Sequence, residues 1–133
     1  MWATISSVTI SSMPRRPGGR LLVSIPNLRG LNYALAWFFN RPVLAMHNIG
    51  IMSRQVFSTL FDPERLSLLF CDYYGTFDFG LFNTQPSAPQ RHVLAVCRKL
   101  QLGLNVAFRA LGQKGAESRF SSPYLVYIGV KKR

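Results

Sequence analysis

Five carboxylates, two histidines and two cysteines are the side chains of this 133-residue chain whose types offer acid–base, metal or thiol chemistry. Asp62, Glu64 and Asp72 cluster within eleven residues. Paired carboxylates of this kind can exchange protons with a substrate when a histidine or metal set stands beside them. Here Asp62-Pro63-Glu64 has the form of a helix start, an acid at the cap, proline at the first helical position and an acid in the first turn, so capping accounts for both acids. His47 and His92 are isolated, and Cys71 and Cys97 lie far apart with no C-x-x-C pair. Structural zinc sites show paired ligand spacing, so no metal, no cofactor and no catalytic residue is expected. The absence of a disulfide framework fits a reducing compartment.

The chemistry that the residue types do support is anion binding. Lys and Arg number 16 against five Asp and Glu, giving a net charge of +11. Arginine outnumbers lysine twelve to four, and guanidinium forks bind phosphate bidentately where lysine acts as a point charge. The first 61 residues hold six arginines and no acid. Such a segment repels itself unless something anionic lies beside it. Yet only 16% of residues are charged and 48% are hydrophobic, a surface that calls for protein neighbours as well. High charge with low charge density implies a subunit embedded in a large assembly.

Several elements must position these cations. Met1 to Arg20 is rich in Ser and Thr, free of acid and arginine-terminated, the composition of a mitochondrial targeting segment. Its Trp2–Ile10 portion is expected to be extended, and the segment to be a retained, assembly-embedded arm. Met13–Arg20 is a Pro/Gly turn that displays Arg15, Arg16 and Arg20 on irregular backbone. Leu21–Ile25 is a short apolar run. Asn27 is placed to cap a helix over Leu28–Phe39, where Leu28, Leu31, Leu35 and Phe38 recur at helical spacing. Trp37, Phe38 and Phe39 are read as core or protein interface. Arg41 and Pro42 interrupt the apolar pattern, and neither Leu31–Phe39 nor Val43–Met52 reaches the about 20 residues that a membrane span requires. Ser53 caps a short helix over Arg54–Leu60, and the Asp62 signal predicts a further helix ending at Phe70. Tyr73–Phe82 reads as an aromatic-rich strand or extended segment, and Asn83–Gln90 as a polar connector.

Gln90–Leu111 is the most regular stretch. Val93, Leu94, Cys97, Leu100, Leu104, Ala107, Phe108 and Leu111 form one apolar stripe, expected to be buried, with Gly112 as the cap. At about 100° per residue Arg91, Arg98, Asn105 and Arg109 fall within roughly 40° of one another on the opposite side, a basic ridge. Gly103 marks a kink or close packing. Lys114 and Arg119 occupy a polar loop, Tyr124–Val130 reads as a strand, and Lys131, Lys132 and Arg133 form a basic tail.

The expectation is an α+β fold, a small single domain with three to four helices, a few short strands and extended basic termini. Its three parts are a basic arm over 1–20, a hydrophobic helical and aromatic part over 21–82, and a basic helix, loop and strand over 83–133. No small-molecule substrate is expected. The partner chemistry implied is ribosomal RNA together with neighbouring subunits, in an organellar and specifically mitochondrial ribosome. Arg15, Arg16, Arg20, Arg91, Arg98, Arg109, Lys114, Arg119, Lys131, Lys132 and Arg133 would neutralise phosphates, wedging between RNA helices without reading bases. The alternative expectation is an accessory subunit of a mitochondrial inner-membrane complex, respiratory or ATP synthase, with the aromatic part against membrane subunits.

Overall fold

Alternation of apolar residues sets the framework. In the computed structural model, which describes residues 3–5, 8–10, 16–76, 78–82, 88–110 and 117–133, these segments give an α+β fold of one antiparallel sheet and four helices. Strands β1 (Ala3–Ile5), β2 (Val8–Ile10), β3 (Arg20–Pro26), β4 (Leu66–Tyr74) and β5 (Tyr124–Lys131) stand in the order β1-β2-β3-β5-β4. Helices α1 (Leu31–Phe39), α2 (Arg41–Met46) and α3 (Arg54–Thr59) follow β3, and α4 (Ala88–Ala110) precedes β5. Two 3-10 turns, Ile49–Ile51 and Phe79–Phe82, complete the described elements.

The period of two in β3 and β5 buries Leu21, Val23 and Ile25 of one strand and Leu125 and Tyr127 of the other on a single sheet face. Leu28, Ala36, Phe39, Met52 and Phe57 close the core over that face. Tyr127 stacks on Phe61 at 3.7 Å and meets the edge of Phe57 at 6.5 Å, which anchors α3 to the sheet. The opposite face stays open: Leu22, Ser24, Phe70, Tyr124, Val126 and Ile128 line a broad apolar groove of about 590 Å³.

The helix expected from Asp62 to Phe70 is not formed; β4 takes its place. Asp62 does cap, accepting the Glu64 N–H at 2.8 Å while its carbonyl accepts from Arg65 and Leu66, but the turn stops there. Capping lowers the cost of a first turn without supplying an apolar stripe to extend it. The residues that follow pair instead with β5 from Leu66↔Lys131 to Tyr74↔Tyr124, across one irregularity between Leu68 and Phe70. The aromatic stretch is likewise not one strand: β4 ends at Tyr74, the chain turns at Gly75 with φ 85, and Phe79–Phe82 is 3-10. Phe77, residues 83–87 of the connector, and Leu111 and Gly112 at the end of the basic helix lie outside the described residues.

Helix α1 starts three residues later than Asn27 predicts. Gly30, at φ 60, stands at its cap with no side-chain hydrogen bond. A Cβ on Gly30 would lie 2.5 Å from the Phe120 Cα, so glycine is required both for the left-handed backbone and for the close approach of that loop. Asn27 is instead fully buried, and its Nδ2 donates to the carbonyls of Ser122 at 2.8 Å and Arg119 at 3.1 Å. Asn32 Nδ2 donates to the same Ser122 carbonyl at 2.8 Å. The two amides tie the loop before β5 to the start of α1. Ser53 caps α3 as its position implies, accepting from the Val56 N–H at 3.3 Å.

Candidate nucleic-acid interface

The Pro-Gly-Gly turn and the C-terminal tail, far apart in sequence, meet at one end of the sheet. Gly18, at φ 79, lets the chain reverse so that its N–H donates to the Lys131 carbonyl at 3.0 Å. The Lys131 N–H returns a bond to the Gly19 carbonyl at 2.9 Å, and the Lys132 N–H donates to the Arg65 carbonyl at 2.9 Å. β3 therefore begins, β5 ends and β4 begins at one edge. Arg16, Arg20, Arg65, Lys132 and Arg133 are exposed there, with Lys131 half-buried beside them.

Only Asp62 and Glu64 of the five acids belong to this end, and Asp62 holds Arg65 at 3.3 Å. Two others lie at the far end: Asp78 accepts from the Tyr124 hydroxyl at 2.8 Å and Glu117 from the Gly75 N–H at 3.3 Å. Burial first, and then that hydrogen bond, push the Tyr124 phenol up to about 12. Asp72 pairs with Arg54 at 3.1 Å on the exposed edge formed by α3 and β4, a contact worth about 0–1 kcal/mol. The sheet is thus polarised, with six cations against two acids at one end.

Of the residues that the sequence singled out, Arg16, Arg20, Lys131, Lys132 and Arg133 come together. Arg119 does not join them. It lies past the Pro26↔Tyr124 end of the β3–β5 ladder, a strand length of about 20 Å from Lys131, with its guanidinium 4.6 Å from the Phe120 ring centroid. Arg91 and Arg98 stand exposed on α4, a separate element. Arg15 and Lys114 lie outside the described residues, as does the side chain of Arg109 in the last turn of α4. Arg65 was missed. Its only signal was proximity to the Asp62 turn, and placing it in a helix hid its adjacency to the tail.

The apolar stripe of α4 is not buried as its periodicity implies. Leu94 is 5% exposed, whereas Val93, Leu100 and Leu104 are 47%, 61% and 44% exposed. The helix is attached through Gln90, Leu94, Cys97, Gln101 and Asn105, with Gln101 Oε1 accepting from the Phe79 N–H at 2.9 Å and Gln90 Nε2 donating to the Phe38 carbonyl at 3.1 Å. Polar anchors have turned the helix away from its most apolar side. Gly103 shows no close packing, since a Cβ there meets nothing within 4 Å.

Trp37, Phe38 and Met46 are exposed around Arg41, whose guanidinium lies 4.5 Å from the Trp37 ring centroid. Among the described residues no group of three or more His, Cys, Asp or Glu is gathered, and no helix is long and apolar enough to cross a membrane. Burial, then the neighbouring Asp72 charge, push the Cys71 thiol up, away from nucleophilic reactivity. Compared with known proteins, the chain matches no family model, no curated protein and no solved structure.

Proposed function

We propose that the chain is a structural RNA-binding subunit of an organellar ribosome, specifically the mitochondrial one. The observation that carries this reading is the joining of two distant basic segments into one exposed cationic sheet end by paired backbone hydrogen bonds. Arg16, Arg20, Lys132 and Arg133 neutralise phosphates of ribosomal RNA, with Arg65 and Lys131 adding to the local field. Arg91 and Arg98 make secondary backbone contacts from α4. The open sheet groove and the exposed side of α4 supply surface for neighbouring subunits.

The second reading, an accessory subunit of a mitochondrial inner-membrane complex, is favoured by the exposed Trp37, Phe38 and Met46 around Arg41. Tryptophan beside arginine suits a headgroup interface. Sedimentation of a detergent lysate with and without RNase separates the two. Co-migration with ribosomal RNA that survives detergent and collapses on RNase supports the first reading. Migration indifferent to RNase but lost in harsher detergent overturns it in favour of the second.

A further inference from the structure

The cationic end of the sheet borders a pocket of about 300 Å³. Leu21, Phe61 and Leu66 form its apolar floor, Leu60 stands at its mouth, and Asp62, Arg65 and Lys131 supply charge. Its shape follows from one missing side chain. Gly129 lies two residues beyond Tyr127 on the same face of β5, and a Cβ there would stand 2.8 Å from the Tyr127 Cε1. The Tyr127 ring therefore leans over Gly129 towards the sheet end, and the Phe61 ring stacked on it at 3.7 Å leans with it. Leu66 and Lys131 pair directly across β4 and β5, so their side chains share that face. Asp62 holds Arg65 through Nε at 3.3 Å, while the rest of the Arg65 side chain stays exposed. Lys132 lies alongside, its N–H bonded to the Arg65 carbonyl at 2.9 Å.

Size and lining together select the occupant. The volume is at the lower bound of small-molecule sites, enough for one nucleoside but not for two. An acyl chain would be left against charged side chains, which are three of the seven that line the pocket. A lone carboxylate or phosphate would leave the leucines uncovered. A nucleotide uses both parts: its base covers Leu60, Phe61 and Leu66, the Arg65 guanidinium stacks on the base plane, and its phosphates reach the cations outside. We propose that the pocket takes the base of one unpaired nucleotide, swung out of an RNA duplex whose backbone lies on the cationic sheet end. The Asp62 carboxylate accepts from the Glu64 N–H and from Arg65, and its remaining lone pairs favour a base that carries an amino group over uracil. This inference rests on the RNA reading and adds a base contact where that reading has phosphates alone.

The test uses the full chain and labelled RNA hairpins, followed by fluorescence anisotropy. The hairpins share one duplex, which is flush or carries a single bulged adenosine, a bulged uridine or an abasic bulge. The bulged adenosine should bind about tenfold more tightly than the flush duplex, and the abasic bulge no better than the flush one. Leu60→Ser removes the apolar side chain at the mouth, at a position already 54% exposed, and should cut that advantage to about twofold or less while sparing flush-duplex affinity. Asp62→Asn keeps an oxygen for the Glu64 N–H and should bring bulged uridine level with bulged adenosine. Each variant is read as a ratio of two RNA affinities, which cancels its effect on net charge. The abasic comparison is made on the parent chain and stands whatever the substitutions do to folding. Equal affinity for bulged and flush RNA, or an abasic bulge bound as tightly as the adenosine, overturns the inference and leaves the phosphate contacts standing. So does an advantage untouched by Leu60→Ser, or uptake of dodecanoate that Leu60→Ser abolishes with no preference for the bulge. Failure of the parent chain to bind any of the hairpins overturns the ribosomal reading as well.

Discussion

Replacing Lys132 and Arg133 together by glutamine halves the set of exposed cations at the sheet end that no neighbouring acid engages. Asp62 holds Arg65 and Lys131 is half-buried, which leaves Arg16, Arg20, Lys132 and Arg133 to meet phosphates. Four such contacts on a duplex contribute about −3.6 to the slope of log affinity against log salt, a factor of about 150 between about 50 and about 200 mM salt. With two contacts that contribution falls to about −1.8 and the factor to about 12, whatever Arg91 and Arg98 add to both. Fluorescence anisotropy with a labelled RNA duplex over that salt range reads both numbers. Stability should be little changed, because Lys132 and Arg133 are exposed and the Lys132 contact to Arg65 is made by its backbone. Arg54→Gln is the control, since Arg54 pairs with Asp72 on a different edge and its loss should leave the slope alone. An unchanged slope in the double variant, or an equal reduction in the control, would refute the assignment of RNA contact to this end.

Three further outcomes follow from the packing. Gly30→Ala forces a Cβ to within 2.5 Å of the Phe120 Cα at φ 60, so chemical denaturation should show a loss of about 2 kcal/mol or more. Gly103→Ala meets open space within the longest helix and should raise stability by about 0.5–1 kcal/mol in the same assay. Tyr124 titrates near 12 in the folded chain against an ordinary value near 10, so its folded form binds the proton more tightly. The stability it contributes is therefore complete below about pH 10 and lost as pH rises from 10 towards 12. Ultraviolet titration of tyrosinate should show this late group, and Asp78→Asn should bring it earlier.

Much of the fold was readable where one local pattern acted alone. β3 and β5 announce themselves by alternation, α3 by Ser53, and α4 by its length and regular apolar spacing. Prediction failed where a local signal met a nonlocal demand. The Asp62 cap is real, but β5 needs a second neighbour and β4 supplies it, so one turn of helix gives way to strand. Asn27 has the side chain of a helix cap and spends it on the loop before β5. α4 is a helix as expected, yet Gln101 and Gln90 decide its rotation, which no count of apolar residues reveals. The same holds for the basic end: each half is visible as a run of arginines or lysines, but their meeting depends on the register of β3 against β5.

The placement of β5 between β3 and β4 also governs how the protein is made. Both its neighbours precede it, with Arg20 paired to Val130 and Leu66 to Lys131, so neither completes its hydrogen bonding until β5 has been synthesised. Until then β3 and β4 face an empty slot as open edges, the type of surface on which chains aggregate. Contacts of such long sequence separation form slowly. Truncation just before Tyr124 would leave the β1–β2–β3 ladder but strip β4 of the strand it pairs with, splitting the sheet rather than shortening it.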